Sequence, residues 1–165
     1  MPIEGSYQVR ARFTRVDGGG AMIFYIPVGT NAVSVIMGDQ ANDPTKNRYL
    51  LSDIGQGQDD STYQGVLENN RQYTAQITVL LRDREADIIV DLDNIPLHHW
   101  SGLQQSLNPW QNSGFHDKNN QRLQRIGLFA FRLQARVHSV HFRKIDPAAV
   151  SNMTGASGGS ADRDE

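Results

Sequence analysis

Residues 91–102, DLDNIPLHHWSG, bring two carboxylates, a tight-turn dipeptide, two histidines and a tryptophan into one short stretch. Paired carboxylates suit glycoside cleavage, about 5 Å apart for retention of configuration and wider for inversion. On a strand, Asp87, Ile89, Asp91 and Asp93 share one face, and Ile88, Val90 and Leu92 share the other. The rise per strand residue then sets Asp91 and Asp93 about 6–7 Å apart at Cα. The plainer alternative gives Asp91 an arginine partner on a neighbouring strand and leaves Asp93 to support the turn beside Asn94. His98 and His99 point to opposite faces, so one site can use only one of them. His138 and His141 are split in the same way on the last strand. Adjacent histidines without a nearby cysteine are a weak zinc signal, and no metal site is expected from them. A histidine that hydrogen-bonds a sugar hydroxyl or a carboxylate fits better.

Trp100 ends the HHW run, and Trp110 lies in NPWQNSGFHD, inside a polar loop expected over about residues 101–122. Sugar rings pack their C–H faces on indole, while their hydroxyls need planar polar partners such as Asp, Asn, Gln and Arg. The loop supplies Gln104, Gln105, Asn108, Gln111, Asn112 and Asn119, and long loops in compact domains are often functional. Otherwise Trp100 caps the core and Trp110 pins the loop. GDQANDP and GQGQDDS hold Asp39, Asp43, Asp59 and Asp60, oxygen ligands for Ca²⁺ but without motif spacing. No cofactor is expected, and calcium is the one ion these loops would suit.

Strands must position these groups, because alternation of period two recurs and long helical periodicity does not. SYQVRARFTR sets Tyr7, Val9, Ala11 and Phe13 against Gln8, Arg10, Arg12 and Thr14. A glycine turn then leads into a strand with Met22, Phe24, Ile26 and Val28 on one face, followed by NAVSVIM. NRYLLSDIG and STYQGVL read as shorter strands separated by a Gly-Gln-Asp loop. RQYTAQITVLLR opposes Tyr73, Ala75, Ile77, Val79 and Leu81 to Thr74, Gln76 and Thr78, and pairs through DRE with ADIIVDLD. Asp93-Asn94 turns into IPLHHW. LQRIGLFAFR and ARVHSVHFRKI are expected to form a final hairpin. About ten short strands at this spacing indicate an all-β, two-sheet antiparallel sandwich over residues 1–146. Residues 147–165 then read as a disordered Ser/Gly-rich tail or linker. If Val9, Phe13, Ile77, Val79, Val90 and Leu92 fill the core, the opposite face offers Arg10, Arg12, Gln76, Thr78, Asp91, His141 and Arg143. That face is either a ligand surface or a solvated sheet with cross-strand ion pairs.

The chain has 165 residues, enough for one domain with a real core, and a formal net charge of −2. Such near-balance argues against a dedicated nucleic-acid binder. The absence of cysteine excludes disulfides and thiolate metal sites. No apolar run approaches a bilayer span, and MPIEGSYQV shows no signal-peptide pattern. The abrupt strand-like start suits a domain cut from a larger, multidomain protein, which would place it outside the cytoplasm.

Three segments carry a resemblance. VLENNRQYTAQITV resembles the long-strand entry of concanavalin A-like jelly rolls, ADIIVDLDNIPLHHWSG looks like their following hairpin, and RIGLFAFRLQARVHSVHFRKI resembles their closing pair. Together they resemble the laminin G-like/concanavalin A-like superfamily, in particular bacterial domains related to 3-keto-disaccharide hydrolases. That superfamily spans lectins, carbohydrate-binding modules, glycosidases and adhesion domains, so the resemblance implies fold more than function. Its retaining β-glucanases carry Glu-x-Asp-x-x-Glu on one strand, and EADIIVDLD does not match that spacing.

The leading expectation is a non-catalytic carbohydrate-binding module. Trp100 and Trp110 would stack on sugar, and Asp91, Arg12, His98, Gln76 and His141 would supply hydrogen bonds. A glycoside or keto-sugar hydrolase using Asp91 or Asp93 with His141 or His99 is the alternative. A protein-interaction module is the third reading, and it requires an exposed apolar patch.

Overall fold

The computed structural model describes residues 3–39, 48–54, 57–60, 65–107 and 125–146, with the backbone alone for 53 and 57–60. The stretch 147–165, expected to be a tail or linker, lies outside them. Ten strands among the described residues form two antiparallel sheets, as the alternation predicts. The first sheet holds β1 (Tyr7–Asp17), β6 (Gln72–Arg82), β7 (Glu85–Leu92), β8 (Ile95–Leu103) and β10 (Gln134–Lys144), in the order β10-β1-β6-β7-β8. The second holds β2 (Ala21–Val28), β3 (Asn31–Asp39), β4 (Arg48–Ile54), β5 (Gly57–Asp60) and β9 (Gly127–Phe131), in the order β5-β4-β3-β2-β9. Among the described residues no helix is long and apolar enough to cross a membrane.

The inward side chains of the two sheets interleave. Tyr7, Val9, Ala11 and Phe13 of β1 meet Met22, Phe24, Ile26 and Val28 of β2, with Ile77, Val79, Ile88 and Val90 completing the layer. Phe13 lies 6.4 Å from the Phe24 ring and 5.9 Å from the Tyr73 ring, centroid to centroid. Tyr7 crosses the layer to donate its hydroxyl to the Pro27 carbonyl at 2.5 Å, and burial pushes its phenol far above the ordinary range. The β7–β8 turn takes positive φ at both Asp93 (51°) and Asn94 (66°), the geometry that a two-residue hairpin favours.

Three expectations are corrected. The fifth strand is the GQDD segment, paired through Leu50 and Leu51 with Asp60 and Asp59, whereas residues 65–67 form no strand. Backbone pairing at the sheet edge outweighs the weak strand propensity of those residues. The polar loop begins later than expected, because β8 runs to Leu103 and a 3-10 turn follows at Gln104–Ser106. Finally, β9 and β10 are not a hairpin. β9 pairs with β2 in the second sheet and β10 with β1 in the first. Arg132, at φ 48°, helps carry the chain over the side of the sandwich between them.

The two outer faces differ. On the second sheet even positions opposite the core are buried, among them Tyr25, Ala32, Ser34 and Leu50. The outer face of the first sheet is polar, and the candidate residues collect there.

Candidate functional site

Alternation along β1 sends Gln8, Arg10, Arg12 and Thr14 outward, and the antiparallel register decides what stands beside each. Arg10 pairs with His141 of β10 on one side and with Gln76 of β6 on the other. Gln76 in turn pairs with Asp91 of β7. One row across the sheet therefore reads His141, Arg10, Gln76, Asp91. The next row begins Arg143, Gln8, Thr78, and Gln8 Nε2 donates to Thr78 Oγ1 at 2.9 Å. Gln8, Arg10, Gln76, His141, Phe142 and Arg143 line an open pocket of about 400 Å³, within the size range of small-molecule sites.

Asp91 is half-buried, and burial raises its carboxyl above the ordinary value of 3.8, while a side-chain hydrogen bond from Gln76 acts in the opposite direction. A carboxyl whose folded pKa is raised favours folding most in the protonated form. That contribution is complete below 3.8 and is lost as pH rises through the folded value. Asp91→Asn keeps a hydrogen-bonding partner for Gln76 and removes the buried charge. At pH 7 the variant is expected to equal or exceed the wild type in stability, by less than about 1 kcal/mol. Chemical denaturation at acid and neutral pH checks this, and an Asn variant less stable at pH 7 would refute it.

The remaining sequence-predicted residues divide. Arg12 shares the outer face, two residues along β1 from Arg10, and donates to Gln72 Oε1 at 3.3 Å without lining the pocket. His98 is buried on the inward side of β8, opposite core residue Val90. Trp100, opposite Ile88, packs partly buried against the core. Both therefore stand on the other face of the sheet and at the edge away from β10. Trp110 lies outside the described residues.

The other carboxylates have structural partners. Asp93 Oδ1 accepts the Thr74 N–H at 2.7 Å, and its other oxygen is 3.8 Å from Arg71, which makes it a turn residue. The arginine partner imagined for Asp91 belongs to Asp87 instead, through Arg82 at 2.5 Å. Asp91 and His141 are three strand spacings apart, about 14 Å, too far for direct proton exchange. His99 is exposed on the outer side of β8, opposite Ile89. Among the described residues no group of three metal-ligating side chains converges. Asp39 pairs in register with Arg48, while Asp43 and the side chains of Asp59 and Asp60 lie outside the described residues.

No family model matches the chain, and no curated protein matches it in sequence. Among solved structures it is similar to a Caenorhabditis elegans galectin, at 11% identity and TM-score 0.52, over 87% of this chain and 88% of that one. It is also similar to a tetrameric galectin from the ball sponge Cinachyrella, at 10% identity and TM-score 0.52, over 86% and 96% of the two chains. The sandwich is galectin-like in fold. At such identities the likeness concerns fold alone, and neither neighbour is a keto-disaccharide hydrolase domain. In the pocket Gln8 joins Arg10, Gln76, His141 and Arg143, all four expected on this face, Gln76 and His141 also as ligand contacts. Outward alternation signals the type of each, whereas their meeting depends on the register between β1 and β10.

Proposed function

We propose that this protein is a non-catalytic carbohydrate-binding module whose saccharide lies on the outer face of the first sheet. The pocket lined by Gln8, Arg10, Gln76, His141 and Arg143 carries this reading. Amides and guanidinium groups are planar donors and acceptors that match vicinal hydroxyls, and here they stand on a rigid sheet. A single half-buried carboxylate hydrogen-bonded to an amide provides no acid–base pair, so hydrolysis is not favoured. Trp110 is the stacking residue in this proposal, and Trp100 serves the core. The galectin names of the fold neighbours agree with a saccharide ligand.

Affinity electrophoresis through gels containing a panel of polysaccharides, with a reducing-end assay on the same mixtures, tests the proposal. At least one polysaccharide is expected to retard the protein without being cleaved, and Gln76→Ala is expected to weaken retardation about fivefold or more. Absence of retardation on every polysaccharide, or release of reducing ends, overturns the reading. Retardation that persists unchanged in Trp110→Ala removes stacking from it.

Protein contact has an observation of its own. Val137, Val140 and Phe142 lie on the core-facing side of β10 yet are 46%, 51% and 45% exposed, and Phe131 of β9 is 49% exposed. The same strand carries Arg136, His138, His141, Arg143 and Lys144, and charge on an edge strand opposes strand-to-strand pairing. The polar pocket therefore remains the better supported site.

A further inference from the structure

Resting on the saccharide reading above, we propose that the pocket selects acidic saccharides, with a ligand carboxylate or sulfate held between Arg10 and Arg143. Arg10 pairs directly with His141, and Arg143 follows two residues along the same strand. The two arginines are thus diagonal neighbours on one face, about 7–8 Å apart, a distance that two long side chains close onto a single anion. Among the described residues neither has a carboxylate within ion-pair distance, and the ion pairs there engage Arg71 and Arg82. The nearest acidic member of the row, Asp91, lies beyond Gln76, about two strand spacings or 10 Å from Arg10. A planar guanidinium fork binds carboxylate and sulfate oxygens in bidentate fashion, and two unpartnered forks on one pocket wall form an anion site.

The surroundings favour an anion carried on a polyhydroxyl ring. Gln8 uses one amide N–H on Thr78, which leaves its carbonyl oxygen and second N–H for ligand hydroxyls. Gln76 faces the same space. A nucleic acid needs a long basic track and usually a basic protein, whereas this chain carries a net charge of −2 and the pocket is local.

The test measures binding of the full chain to oligogalacturonate, its methyl-esterified counterpart, a sulfated galactan oligosaccharide and its desulfated counterpart, with a single-stranded oligonucleotide and inorganic sulfate alongside. Calorimetry is expected to show at least one acidic saccharide binding about tenfold or more tightly than its neutral counterpart. Arg10→Ala and Arg143→Ala are each expected to weaken that binding about tenfold, and Arg10→Lys to restore only part of it. Arg136→Ala, a basic change on β10 outside the pocket, is expected to stay within about twofold. Thermal melts confirm that these surface variants fold. Equal binding of acidic and neutral saccharides overturns the acidic selectivity and leaves the saccharide reading standing. Failure of every saccharide removes both. Tighter binding of the oligonucleotide or of sulfate alone overturns the ligand class, and equal losses at Arg136 and Arg143 show diffuse attraction instead of a site.

Discussion

Arg15→Ala is expected to destabilise the protein by about 3 kcal/mol or more, read as a lowered midpoint in urea denaturation. Arg15 occupies an inward position of β1, in line with Tyr7, Val9, Ala11 and Phe13, and is 2% exposed. Its Nε donates to Asn69 Oδ1 at 3.0 Å, and one terminal nitrogen donates to the Gly18 carbonyl. Its own carbonyl accepts the Asn70 N–H at 2.6 Å, so the residue ties the β1–β2 turn to the segment before β6. Burial lowers its pKa, and the nearby Tyr49, Tyr73 and Asp17 act against that shift. Alanine would leave the Asn69 and Gly18 oxygens without these donors and would open a cavity the size of the lost side chain. Arg15→Met separates the two effects, because it restores apolar volume without the donors. It is expected to recover about half of the loss. An alanine variant within about 1 kcal/mol of wild type would mean that water replaces the guanidinium at little cost.

Arg15 also marks where the sequence becomes hard to read. Alternation assigns the inward residues of β1, β6 and β7 correctly, although Leu80 and Asp87 on the outer side are buried as well, and the outward Arg10, Gln76 and Asp91 follow from it. The same alternation places an arginine inside, and only the oxygens of Asn69 and Gly18, brought close by folding, explain its burial. The hairpin expected from GLFAF and QARVHSVHFRK fails for a related reason. Both runs read as strands, but alternation carries no information about which sheet a strand joins, and the two here join opposite sheets. Register across distant segments is equally invisible. Residues 10 and 141 stand side by side in the fold, and no local pattern announces it. The cluster 91–102 shows the converse. Its residues are close in sequence, yet pleating sends Asp91 to the outer face and His98 and Trp100 inward. The pocket therefore forms from outward residues of β1, β6 and β10, and residues 91–102 contribute only Asp91, beside Gln76 in the same row.

β10 supplies both His141 and Arg143, and Gly20 seats the opposite end of that strand, near Gln134. Gly20 N–H donates to the Arg132 carbonyl at 3.0 Å, where the chain passes from β9 to β10. A Cβ at Gly20 would stand 1.7 Å from the Phe131 carbonyl oxygen and 2.7 Å from the carbonyl carbons of Phe131 and Arg132. All three atoms are backbone, so no side-chain rotation relieves the clash. The β1–β2 turn would have to part from the β9–β10 connection, which costs the Gly20 hydrogen bond and strains the end of the β2–β9 pairing. Gly20→Ala is therefore expected to cost about 3 kcal/mol or more in denaturation midpoints. It is also expected to leave saccharide retardation unchanged beyond what the fraction unfolded explains, because His141 and Arg143 stay paired with Arg10 and Gln8 at the far end of β10. Hydrogen exchange gives the local readout: amides of β9 and of the β10 end near Gln134 are expected to lose protection first, with β6 and β7 least affected. A Gly20→Ala protein with wild-type stability and unchanged exchange in β9 would show that the two connections lie farther apart than the fold places them.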